Sequence, residues 1–247
     1  MKNRLFCILL IVMMFFIVGC TKENVDGEKV IVENKELTDE QINDLMNRVN
    51  DLKYMDYYNK YIVPRNLTNQ EALRISYEIL VGEGKAQSGK LKFADLERVA
   101  LSYLGFSLEP ENLICDTHYN IQDGGGADIM IYNVDSGIYY TNTKHLGHTG
   151  GGLRTEVYNS YFDGNESNGV YTIVVKKIFS ELLGDAVYSK LNYYASYDDS
   201  AYKRNVLFIG NDVQEDDFDK YSDKLINYTY KFVLKDGNYV LTEYKIG

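Results

Sequence analysis

The period of the apolar residues changes once along this chain, and that change bounds the fold. Thr38-Asp39-Glu40-Gln41 has a capping-box pattern, a Thr N-cap with Gln three residues on. Ile42, Leu45, Met46, Val49, Leu52, Met55 and Ile62 then follow at helical spacing as far as Pro64. A second box, Thr68 with Glu71, opens Ala72, Leu73, Tyr77 and Leu80, which run until Gly82 and Gly84. Phe93, Leu96, Val99, Ala100, Tyr103 and Leu104 mark a third helix, with Gly105 placed as a C′ glycine. The spacing therefore predicts three amphipathic helices within 38–105.

From Leu113 the pattern becomes that of strands. Segments 128–133, 138–143, 153–162, 169–179, 190–196 and 206–210 are expected strands, and turn clusters such as Asp135-Ser136-Gly137 and Asn168-Gly169 separate several of them. Segments 227–235 and 239–246 flank Asp236-Gly237, the favoured type I′ pair, and predict a C-terminal hairpin. Helices first and antiparallel hairpins afterwards indicate an α+β class, a three-helix N-terminal segment followed by a mostly antiparallel sheet over 113–247. One arrangement curls the sheet around the helices, as in the cone-shaped NTF2-like or cystatin-like folds.

The N-terminus carries an address. Met1-Lys2-Asn3-Arg4 is cationic, and Leu5 to Val18 is an uncharged apolar run of 14 positions ending at Gly19-Cys20. A spanning helix needs roughly 20 apolar residues, so a short uncleaved anchor is the weaker reading. A signal peptide fits better. Ile17-Val18-Gly19-Cys20 resembles the lipobox of bacterial lipoproteins, and the chain as a whole looks like lipoproteins of Gram-positive bacteria. The resemblance implies cleavage before Cys20, lipid on its sulfur and an extracytoplasmic body held at the cell membrane. Residues 1–19 are then signal, 20–37 a lipidated cysteine with a polar tether, and 38–247 one globular domain. Thr21 to Glu36, if extended, reaches at most about 55 Å, although Val30-Ile31-Val32 also reads as a short first strand.

Losing Lys2 and Arg4 takes the net charge from −10 to −12. That acidity disfavours nucleic acid and anionic headgroups as partners. Cys7 leaves with the signal, so Cys115 has no intramolecular disulfide partner once Cys20 is lipidated.

No complete catalytic set emerges. His145-x-x-His148 with His118 and Asp128 is the metal candidate, but the surrounding Gly-rich run reads as a loop, and the zincin HExxH pattern is absent. Gly124-Gly125-Gly126 and Gly150-Gly151-Gly152 lack the Walker Lys-Ser/Thr, so they read as connectors. Cys115 beside His118 lacks the third group a thiol nucleophile needs. Asp163 to Gly169 begins like a calcium loop but has Val174 where a Glu ligand belongs, so a hairpin turn explains it better. Glu215-Asp216-Asp217 with Asp219 and Asp223 reads as a solvated loop entering a short helix. The tyrosine groups Tyr54, Tyr57, Tyr58, Tyr61 and Tyr193, Tyr194, Tyr197 suit either a binding face or pleated strands.

The expectation is a lipid-anchored, non-catalytic binding module for a protein, envelope component or small ligand, with no cofactor. The alternatives are an envelope hydrolase or metal-dependent enzyme centred on His118, His145 and His148, and a passive structural surface lipoprotein.

Overall fold

The computed structural model describes residues 21–23, 29–31, 34–58, 61–85, 90–114, 129–142, 154–183, 190–195 and 208–247. Three short strands open the chain: β1 (Thr21–Glu23), β2 (Lys29–Ile31) and β3 (Asn34–Glu36). They precede the helices α1 (Asp39–Asp51) and α2 (Asn69–Gly82), strand β4 (Lys90–Lys92) and helix α3 (Phe93–Leu104). Next come β5 (Leu113–Ile114), β6 (Ile129–Asn133), β7 (Ile138–Asn142), β8 (Arg154–Ser167), β9 (Val170–Leu183), β10 (Lys190–Tyr194) and β11 (Phe208–Gly210). A four-residue helix α4 (Phe218–Tyr221) leads to the hairpin β12 (Asn227–Lys235) and β13 (Asn238–Ile246). The class is α+β, and every strand pair is antiparallel.

The expected three-helix N-terminal segment is corrected. Four α-helices occur among the described residues, and the region 38–105 also holds two 3-10 turns and a strand. Both capping boxes form, on Thr38 and Thr68. The first helix, however, ends at Asp51 rather than running to Pro64, and a 3-10 turn over Lys53–Tyr58 follows. The tighter turn brings Met55 and Asp56 into the interior together, both buried. Ile62 then leaves helical geometry altogether and exchanges two 2.8 Å backbone hydrogen bonds with Tyr244 of β13. Tertiary pairing with the sheet outweighs the helical periodicity at this point. Residues 34–36, read from sequence as tether, pair with β8.

β9 is the centre of the larger sheet. β8 lies along one edge for most of its length. The other edge is shared, with β12 on its first half and β10, followed by β11, on its second. Ile173, Val175 and Phe179 project from one face into the main core, with Tyr228, Tyr230 and Phe232 of β12 and the buried faces of α1, α2 and α3. Ile178 projects from the opposite face into a second cluster with Tyr193, Ile209, Val213 and Leu225. A smaller sheet, β4-β7-β6-β5, contributes Leu91, Tyr139, Met130 and Leu113 to the main core.

The turns follow their local chemistry. Asn168 (φ 53°) and Gly169 (φ 76°) close β8 on β9, while Asp236 (φ 50°) and Gly237 (φ 77°) close β12 on β13. Both are the Asn-Gly or Asp-Gly pairs that a primed turn requires. β8 runs on to Ser167, so Asp163 to Ser167 is strand and not a calcium loop. No helix of the described residues is long and apolar enough to cross a membrane.

Candidate functional site

Strand alternation places residues 173, 175, 177 and 179 of β9 on the core side. Three are Ile, Val and Phe; the fourth is Lys177, whose side chain is 0% exposed. An isolated ammonium in such a place is unstable unless paired. Two carboxylates meet it. Asp56 Oδ2 lies 2.7 Å from Lys177 Nζ and Glu156 Oε2 lies 2.5 Å from it, with the carboxylates 2% and 11% exposed. Tyr244 donates its hydroxyl to Asp56 Oδ1 at 2.6 Å. The rings of Tyr228 and Tyr230 stand 5.4 and 5.5 Å from Nζ, within cation–π range.

Five separate elements bring these groups together, β12 carrying the rings of Tyr228 and Tyr230. Asp56 comes from the 3-10 turn after α1, Lys177 from β9 and Tyr244 from β13. Glu156 depends on a bulge in β8. Asn159 pairs with Lys177 and Tyr158 with Ile178, but Phe179 is opposed by Glu156, and Val157 is left over. Plain alternation from Asn159 would turn Val157 inward and Glu156 outward. The bulge reverses this: Val157 is 41% exposed and Glu156 reaches Lys177. Asn159 Nδ2 then holds Glu156 Oε1 at 2.8 Å and Asn50 Oδ1 at 2.7 Å.

The two acids differ in environment, and their proton affinities separate. Burial pushes the Asp56 carboxyl up to about 7; Lys177 opposes the rise and Glu156 adds to it. Burial also acts to raise Glu156, but the charge and hydrogen bond of Lys177 and the hydrogen bond of Asn159 hold it below the usual carboxylate range. For Lys177, burial disfavours the charge, and the fields of Asp56, Tyr230 and Glu156 overcome it to hold the amine well above its ordinary value. Burial and the neighbouring Asp56 raise Tyr244 well above the ordinary tyrosine range. The resting cluster near neutral pH is thus an ammonium, an ionised Glu156 and an Asp56 that readily holds a proton.

Glu156 also connects the buried cluster to the surface. It lines a polar cleft of about 370 Å³ with Asn50, Lys53, Tyr158, Asn159 and Glu215. Hydrogen-bonding amides, two carboxylates and an ammonium therefore line one opening, and one of the carboxylates, Glu156, is tied to Lys177.

Of the residues weighed in the sequence, Glu215 lines the cleft. Cys20, Cys115, His118, Asp128, His145, His148 and both triple-glycine runs lie outside the described residues, as do Tyr197 and the side chains of Tyr54, Tyr57 and Tyr58. Tyr61 is exposed and Tyr193 is buried in the second core cluster. Among the described residues, no group of three or more His, Cys, Asp or Glu side chains is arranged to hold a metal ion. The acidic run 215–223 forms two 3-10 turns around α4. One sequence signal could have pointed to the cluster: in the strand run Ile173-Val174-Val175-Lys176-Lys177-Ile178-Phe179, period two puts one lysine of the doublet on each face.

No protein-family model matches the chain, and neither a curated protein nor a solved structure matches it.

Proposed function

We propose that the chain is a lipid-anchored extracytoplasmic binding module whose ligand contact is the polar cleft at Glu156. The lipobox-like segment ending at Cys20 supports the location. The cleft carries the binding reading: Asn50, Asn159, Glu156, Glu215 and Lys53 converge on one opening of about 370 Å³. That set suits a small ligand rich in hydroxyl or amine groups, because amides and carboxylates offer it fixed acceptors and donors. The long sheet with one face covered by helices also supports placing the fold with the cone-shaped NTF2-like or cystatin-like folds.

The test is thermal unfolding against a panel of polyols, saccharides and amines, with the Asn50→Ala and Asn159→Ala variants beside the parent. A ligand that raises the melting temperature of the parent and loses at least tenfold in affinity in both variants is the expected result. No shift across the panel would leave the passive surface-protein reading in its place.

A further inference from the structure

We propose that Lys177 and Asp56 condense spontaneously to form an intramolecular isopeptide bond, with Glu156 as the proton-transfer group. The geometry carries the proposal. Lys177 Nζ rests 2.7 Å from Asp56 Oδ2, so the carboxyl carbon, one bond further, lies in the first contact shell of the nitrogen. Holding nucleophile and electrophile in contact replaces an intermolecular encounter with a step of very high effective concentration. The fully buried lysine also sits where water is excluded, which opposes hydrolysis of the amide.

Three features distinguish the roles of the two acids. Asp56 is the more deeply buried, and burial favours its protonated form, the form that an amine can attack. Tyr244 donates to the other oxygen of that same carboxyl, where negative charge develops in the tetrahedral intermediate. Glu156 contacts Nζ at 2.5 Å and opens on the polar cleft. It is therefore placed to take a proton from the ammonium.

The step balances without any added reagent. Glu156 takes one proton from Lys177, leaving a neutral amine. The Nζ lone pair attacks Asp56 Cγ and the C–N bond forms, with charge on Oδ1 held by the Tyr244 hydroxyl. Glu156 donates its proton to Oδ2, the C–O bond breaks and water leaves. Nζ then returns one proton to Glu156. The products are a secondary amide, one water and a neutral Glu156, which can release its proton through the cleft. The ammonium, the carboxylate and the carboxylic acid that began the reaction carry no net charge between them, and neither do the products.

The bond would join positions separated by 121 residues. It would be a long-range covalent constraint independent of the chain's three cysteines.

Tryptic digestion and tandem mass spectrometry of the full-length protein, extracted from membranes and denatured, decide the question. The expected product is peptide 54–60 joined to peptide 177–190, lighter than their sum by one water, because an acylated Lys177 resists trypsin. The parent should also migrate faster than Asp56→Ala in a denaturing gel. Glu156→Gln, shown to be folded by near-ultraviolet dichroism, should lose the joined peptide almost completely. Cleavage of the parent after Lys177 to give separate peptides would overturn the proposal without recourse to any variant. A joined peptide that persists in folded Glu156→Gln, or one that carries 155–176 in place of 54–60, would overturn the assigned roles.

Discussion

Replacing Lys177 by Met should make the stability of this protein strongly dependent on pH, through Asp56. The side chain at 177 is fully buried, and its ammonium is the only cation in contact with Asp56 among the described residues. With the Lys177-Asp56 pair uncondensed, burial already lifts the Asp56 carboxyl from its ordinary 3.8 to about 7, against the lowering field of Lys177. Without that field the folded value lies higher still. A carboxyl whose folded pKa is raised contributes stability below its unfolded value, and that contribution is lost as pH climbs towards the folded value. The rise from 3.8 to about 7 corresponds to ~4 kcal/mol at 1.36 kcal/mol per pH unit. This agrees with the roughly 3–5 kcal/mol that follows when one partner of a buried ion pair is removed. The comparison needed is Lys177→Met against Lys177→Met with Asp56→Asn. Neither carries an amine at 177, so the cross-link is absent from both. Asn keeps the shape and the acceptor for Tyr244 but has no titration. Urea unfolding should show the double variant more stable by ~4 kcal/mol near pH 8, and the two nearly equal near pH 4. An equal gap at both pH values, or no gap at either, would refute the reasoning, because Asp56 would then not be titrating inside the core.

Two further outcomes test other parts of the structure. A Cβ at Gly164 would meet Leu37 Cδ1 at 2.8 Å and the Thr172 carbonyl oxygen at 2.9 Å, so Gly164→Ala should destabilise by about 1–3 kcal/mol in denaturant unfolding. Unchanged stability would show that β3, β8 and β9 do not pack this closely. Cys20→Ala should release the body from the membrane fraction or accumulate the precursor, and mass spectrometry of an unmodified Cys20 on a mature chain would contradict lipid attachment.

Much of the architecture was legible in the sequence because it rests on local physics. The Thr38 and Thr68 capping boxes, the Gly105 C-cap in left-handed geometry, and the Asp236-Gly237 and Asn168-Gly169 turns each depend on residues within a few positions of one another. Alternation located β6, β7, β12 and β13 nearly to their ends for the same reason, while β9 runs four residues past its expected end. The helical reading failed at Asp51, because Ile62 answers to Tyr244, which lies far away in sequence.

The cluster around Lys177 shows where that legibility stops. Period two puts Lys176 and Lys177 on opposite faces of the strand, and the packing makes the side of Lys177 the core side. Sequence could not determine which acids would meet that lysine. Asp56 arrives because a 3-10 turn replaces the last turns of an expected helix. Glu156 arrives because Val157 is expelled as a bulge, reversing the faces that alternation assigns. Local periodicity therefore determined the elements, their caps and their turns. The tertiary structure alone decided which charges were buried together, because neutralising an ammonium in the core is a demand met by whichever distant segments the packing brings within reach.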